Sequence, residues 1–183
     1  MDRRQKKTRE SIFKAFINLL SKKHYNQITV GEIIEQANVG RATFYSHFET
    51  KDYLLKDLCE ELFCHIFECA NDGELRHKYI FDCNAPDSVI LHLFLHLQKN
   101  DNNILKLLSC QNNELFLGYF KQNLTKLIKN QLHLFEYKKN ADIPEDFWIN
   151  HVCDTFISTV RWWIENDTNI TPETLTNYFM AIV

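Results

Sequence analysis

The side chains with the most evident chemistry in this 183-residue chain are its histidines and cysteines and one short run around Arg41. His92 and His96 form an H-x-x-x-H pair one helical turn apart, a spacing that puts two imidazoles on one face. No third ligand is in view and the glutamate of an H-E-x-x-H protease is missing, so no metal site is expected. Cys64 precedes His65, but sequence neighbours point away from each other on a helix, so they do not form a nucleophile–base pair. The six cysteines, at 59, 64, 69, 83, 110 and 153, include no C-x-x-C pair and read as reduced, mostly buried thiols. There is no glycine-rich phosphate loop and no G-x-S-x-G elbow. No catalytic residue and no cofactor is expected. The run Gly40-Arg41-Ala42-Thr43 remains, and its chemistry depends on the element that presents it.

Charge locates that element in a distinct part of the chain. The whole sequence carries 21 Lys+Arg against 24 Asp+Glu, a net of -3. Residues 1–56 hold 11 basic and 6 acidic side chains, a net of +5, and the remainder holds 10 and 18, a net of -8. A basic head neutralises phosphates while an acidic body is repelled by them, which orients the molecule on a polyanion. Only four Gly and three Pro interrupt the chain, which points to long helices and few turns. The first residues contain no apolar signal segment and no stretch approaches a membrane span, so a cytoplasmic protein with no membrane partner is expected.

Periodicity orders the head. Ile12, Phe16 and Leu19, with Phe13, Ile17 and Leu20, make residues 8–23 an amphipathic helix. Thr29-Val30-Gly31-Glu32 has the form of a capping box, and Val30, Ile33, Ile34 and Ala37 continue it as a short helix over 30–37. Asn38-Val39-Gly40 supplies a turn, and 41–48 form a third segment anchored by Val39, Phe44 and Phe48. Two short helices across a tight turn after a longer one make a helix-turn-helix. In that unit the second short helix enters the major groove with its first residues, here Gly40-Arg41-Ala42-Thr43, toward the base edges.

The run from Ile28 to Asp52, with Thr29-Val30, Ile33, Ala37, Val39, Arg41, Thr43-Phe44-Tyr45, His47-Phe48 and Lys51, resembles the DNA-binding domain of tetracycline-repressor (TetR) family regulators over about residues 8–55. Arg161-Trp162-Trp163-Ile164-Glu165-Asn166 followed by Thr171-Pro172-Glu173 resembles the carboxyl-terminal domain of a subgroup similar to dihydroxyacetone-kinase regulators. The resemblance implies that Thr29 and Thr43 bond phosphates, that Tyr45 and His47 touch the DNA backbone and that Lys51 grips a further phosphate. It gives base reading to Arg41, able to pair with guanine O6 and N7, and to Ala42, able to touch a thymine methyl. Many relatives carry a polar residue where this chain has Gly40, and often Gly where it has Ala42.

The remainder reads as a helical body. A fourth helix from Lys51 to about Ala70, capped by Thr50, links it to the head. An irregular stretch over 71–86 precedes a helix capped by Asp87 or Ser88 and running through Leu97. A short helix near 104–109, a long one over 113–137 and two final helices over 144–166 and 172–182 complete it, with Pro in the first turns of the last two. The expected fold is all-α, about nine helices: a helix-turn-helix domain over 1–50 and a regulatory and dimerisation bundle over 51–183. Apolar side chains cover a wide arc of the 144–166 helix, so one face needs the core and another a partner. The resemblance assigns the final two helices to a homodimer interface, for which Phe156, Val160, Trp163 and Phe179 are the candidates. It also implies a pocket for a small-molecule effector, with Phe63, Phe67, His92, His96, Phe116 and Tyr119 as candidate lining. The function expected is a transcriptional regulator, a repressor binding a palindromic double-stranded DNA operator as a homodimer. An activator, a regulator controlled by a protein partner, and a small helical enzyme or metal-binding module are the other readings.

Overall fold

The computed structural model describes residues 3–71, 88–99, 105, 108, 114–133, 135 and 142–183, with the side chains of 21, 67–71 and 99 left aside. Among the described residues all regular structure is helical. The head comprises α1 (Arg3–Lys22), a 3-10 turn (Tyr25–Gln27), α2 (Val30–Ala37) and α3 (Arg41–His47). The long α4 (Lys51–Asn71) leads into α5 (Val89–Lys99), α6 (Glu114–Asn130), α7 (Glu145–Glu165) and α8 (Pro172–Ile182).

Local chemistry sets most of these boundaries. Thr29 accepts from the Glu32 N–H while the Glu32 carboxylate accepts from the Thr29 N–H, the reciprocal cap expected of this tetrad. Asn38 ends α2 in the left-handed region at φ 52°, a conformation that Asn tolerates better than most residues, and its N–H returns to α2 carbonyls. Thr50 Oγ1 accepts from the Tyr53 N–H at the start of α4, and Ser88 does the same for Leu91 at the start of α5. Pro172 occupies the first position of α8 behind a capping Thr171, whereas Pro144 stands one residue outside α7 as its N-cap.

Two expected boundaries move. The first helix begins at Arg3 rather than residue 8. The helix expected over 113–137 ends at Asn130, where the Gln131 N–H is shared between the Leu127 and Ile128 carbonyls and the chain tightens into a 3-10 turn. Phe135 beyond it packs edge-on against Trp148 of α7, with ring centroids 5.4 Å apart. The expected irregular stretch over 71–86 and the break at 138–142 lie almost entirely outside the described residues. So does most of the helix near 104–109, of which Leu105 and Leu108 are helical and buried.

The head closes on Ile12, Phe13, Phe16, Leu19, Ile33, Ala37, Phe44 and Phe48, all buried. Helix α4 packs on α5 and α6, α6 on α7, and α8 on both α5 and α7. The centre of the body is a set of aromatic rings: Phe94 stacks on Phe156 at 4.7 Å and meets Trp163 and Phe179 edge-on. Among the described residues no helix is long and apolar enough to cross a membrane.

Candidate nucleic-acid interface

Helix α3 turns its apolar residues inward and its polar ones outward. Phe44 and the capping residue Phe48 are buried, with ring centroids 6.0 Å apart, and Phe13 meets Phe48 edge-on at 5.4 Å. Their burial fixes the rotation of α3, so Gly40, Arg41, Ala42, Thr43, Tyr45 and Ser46 are exposed and His47 half-buried. All of these but Ser46 are positions expected to face DNA, and the structure leaves them accessible on and beside α3. Gly40 has ordinary backbone angles at φ -75° and ψ 153°, and a Cβ there would meet Thr43 Oγ1 at a comfortable 3.6 Å. Its lack of a side chain therefore opens the approach to α3 and answers no backbone constraint.

His47 is held below the usual imidazole range, first by partial burial and then by the nearby Arg9 cation.

Two of the expected phosphate ligands are engaged in hydrogen bonds within the head. The Lys51 ammonium donates to the Tyr25 carbonyl at 2.9 Å and to the Ile28 carbonyl at 2.8 Å, and lies 4.1 Å from the centroid of the Tyr25 ring. Partial burial lowers its pKa. Lys51 thus fastens the start of α4 to the loop before α2, as a second donor to the Tyr25 carbonyl, which also accepts the Ile28 N–H, and as a donor to the Ile28 carbonyl. The Thr29 hydroxyl donates to the Glu32 carboxylate at 3.0 Å while its oxygen accepts the Glu32 N–H, so this side chain serves the cap of α2.

Other head charges are likewise committed. Arg9 pairs with Asp57 at 3.1 Å and Glu61 at 3.2 Å, two carboxylates one turn apart on α4, and its guanidinium covers Phe13 and Phe48. Lys23 pairs with Glu32, which together with the Thr29 bonds holds the Glu32 carboxyl down at about 2. The Tyr25 hydroxyl donates to Asp52, and burial followed by that carboxylate pushes the phenol pKa upward. The +5 of the head is therefore partly internal. Arg3, Arg4, Lys7, Lys14, Lys22 and Arg41 are the exposed cations on which a phosphate surface can draw.

The body departs further from expectation. Phe156, Val160, Trp163 and Phe179 are each 0% exposed within the single chain, so they form its own core and cannot meet a partner. Trp163 also donates its indole N–H to the Ile170 carbonyl at 2.7 Å, tying α7 to the turn before α8. The exposed large apolar side chains of the pair are instead Phe147 (65%) near the start of α7, and Trp162 (43%), Tyr178 (49%) and Ile182 (70%) toward the far ends of the two helices. Thr155, Thr159 and Trp162 follow one stripe of α7, and Thr174, Tyr178 and Ala181 one stripe of α8, with none of the six buried.

Among the expected pocket residues, Phe63 and Phe116 are enclosed and pack against Phe120, at 5.2 and 5.9 Å between centroids, as core rings. Tyr119 is half-buried, and the Phe67 side chain lies outside the described residues. His92 and His96 are buried together with a third histidine, His65 of α4, which sequence reasoning set aside. One signal was present: His65 lies seven residues after Leu58 and three after Leu62, on the apolar stripe of α4. Cys64 beside it points in a different direction on the helix and is exposed.

Comparison with known proteins agrees with this geometry. Residues 12–58 match the family model described as bacterial regulatory proteins, tetR family, and residues 84–183 match a transcriptional regulator C-terminal region. A crystal structure of a TetR transcriptional regulator from Streptococcus agalactiae 2603V is 36% identical, with a TM-score of 0.73 over 100% of this chain and 96% of that one. The dhaKLM operon transcriptional activator DhaS of Lactococcus lactis is 29% identical over 142 residues, 76% of this chain and 70% of that protein. The HTH-type regulator YxbF of Bacillus subtilis is 36% identical over 83 residues, which span 43% of this chain and 22% of that protein. All these relatives are transcriptional regulators and none is an enzyme. The chain belongs to the TetR family of bacterial transcriptional regulators.

Proposed function

We propose that the chain represses transcription by binding a palindromic operator as a homodimer, with affinity set by a small-molecule effector in the body. The observation that carries this reading is α3: buried Phe44 and Phe48 lock its rotation, and Arg41, Ala42, Thr43 and Tyr45 stand outside it. Arg41 supplies the planar donor pair that reads guanine, and Ala42 permits close approach to a thymine methyl. Thr43, Tyr45 and His47 hold the backbone and set register. Thr29 and Lys51 act indirectly, by fixing the loop and helix ends around α3.

A second copy docks against Trp162, Tyr178 and Ile182, because a palindrome needs two α3 helices about 34 to 36 Å apart. The effector acts by population shift. It stabilises a body conformation in which α4 holds the two heads at the wrong separation, and its effect is limited by its differential affinity for the two states. Activation is the second reading, favoured by the DhaS relative, which is named an operon activator.

Selection of bound sequences from a random DNA pool tests the proposal. A two-fold symmetric consensus is the expected outcome, and recovery of no consensus contradicts it. Transcription from a promoter carrying the consensus then separates repression from activation.

A further inference from the structure

The three buried histidines of the body converge. His65 comes from α4, and His92 and His96 from successive turns of α5. Their ring centroids are 5.3, 4.7 and 4.9 Å apart in pairs, and one nitrogen of each lies within 4.8 Å of one nitrogen of each of the others. Each residue is 2% exposed. Burying three imidazoles at one point costs free energy, which hydrogen bonds or a shared metal ion offset.

Their spacing fits a metal ion. Tetrahedral zinc with nitrogen ligands at about 2.0 to 2.1 Å puts those nitrogens roughly 3.3 Å apart. The Nε2 atoms of His92 and His96 are already 3.1 Å apart. The longest separation must shorten by about 1.5 Å, within reach of rotation about the side-chain torsions. A donor set of three imidazoles, with no carboxylate or carbonyl, suits zinc, copper or nickel and is poor for magnesium or calcium. Three protein ligands also leave a fourth position open to an external donor. Since the three imidazoles are neutral when they ligate, an anionic donor such as hydroxide or a carboxylate is favoured there.

The geometry points to His65, His92 and His96 as the ligands of a divalent first-row transition ion of the zinc class, bound between α4 and α5, whose occupancy alters operator affinity. The second part rests on the DNA-binding function proposed above. Its physical basis is α4: Lys51 fastens that helix to the head, and His65 lies about 21 Å further along the same rigid element. An ion that draws α4 toward α5 therefore biases the position of α3.

The test uses the full chain, stripped with chelator. Cobalt(II) is titrated in as a spectroscopic probe, followed by zinc in competition with a chromogenic chelator. The expected result is one ion per chain with the visible d–d bands of a four- or five-coordinate nitrogen site. Affinity should fall at least tenfold in His92→Gln and in His65→Gln and stay unchanged in His133→Ala. Absence of those bands in the wild-type chain overturns the site, whether or not the variants fold. Equal zinc affinity in a folded His65→Gln/His92→Gln/His96→Gln chain overturns it as well. Operator affinity is then compared with and without zinc. A change lost in the His92→Gln chain supports the coupling, and an unchanged affinity overturns the coupling alone. Cobalt bands in a chain that binds no DNA would overturn the DNA-binding reading and leave the metal site standing.

Discussion

Lys51 offers a sharp test of how the head is built, because a phosphate ligand and an internal fastening predict different losses. In Lys51→Met the aliphatic stem is retained and the ammonium removed. Two charge-assisted hydrogen bonds disappear, at 2.9 and 2.8 Å, together with the cation over the Tyr25 ring. Hydrogen bonds to charged groups contribute about 1.5 to 3 kcal/mol each, and a partly exposed cation–π contact about 1 kcal/mol. The Lys51 side chain is only half-buried, so these contributions do not add fully. A net loss of about 2 to 4 kcal/mol is expected, which for a chain of this size lowers Tm by roughly 5 to 15 °C. Thermal and urea unfolding measure it directly, without DNA. The salt dependence of operator affinity gives the complementary reading. A phosphate ligand in each half-site contributes about 0.9 to the slope of log K against log salt, so about 1.8 for the dimer. The internal role leaves that slope nearly unchanged in the folded variant. Unfolding identical to wild type, combined with a slope reduced by about 2, would refute the assignment of Lys51 to the interior of the head.

Other consequences are equally direct. Arg41→Ala, at an exposed site, is expected to leave stability within about 0.5 kcal/mol and to weaken the operator complex by about 1 to 3 kcal/mol per half-site. Preference at one base pair should relax, and an equal loss on every sequence at fixed salt would remove the base-reading role. Glu32→Gln tests the cap by pH: the wild-type carboxyl is lowered from 4.5 to about 2 by Lys23 and Thr29, so its contribution is complete above about pH 5 and vanishes as pH falls toward 2. Urea midpoints of wild type and variant should therefore converge in that window, and a gap independent of pH contradicts the linkage. Trp162→Glu places a charge on the exposed stripe of α7 and should yield monomers at micromolar concentration in analytical ultracentrifugation. An unchanged dimer would move the interface elsewhere.

The elements were legible in the sequence where a local rule determined them. Thr29 and Glu32 announce the cap of α2, Asn38 marks the turn and Pro172 marks the start of α8, since each acts through residues a few positions away. The outward set on α3 was legible for the same reason: Phe44 and Phe48 are four apart and can share only one side. What the sequence concealed depends on contacts between distant segments. Arg9 counts toward the basic head until Asp57 and Glu61 are brought against it, and Lys51 looks free until the Tyr25–Ile28 loop folds over it. On α7 the apolar arc is wide, and sequence reasoning put Trp163, not Trp162, at the partner surface. The structure turns Trp163 inward, edge-on to Phe94. The histidine trio joins residues 27 and 31 positions apart, from 65 to 92 and 96, a separation that no helical period reports.

The central claim is that α3 reads sequence while the basic head supplies affinity. The ratio of dissociation constants for the selected operator and a scrambled duplex of equal length, measured by fluorescence anisotropy at physiological salt and at a series of higher salt concentrations, tests it most directly. A ratio of about 10³ or more is expected, with both affinities falling steeply as salt rises. Equal affinity for the two duplexes, or affinity insensitive to salt, would contradict it.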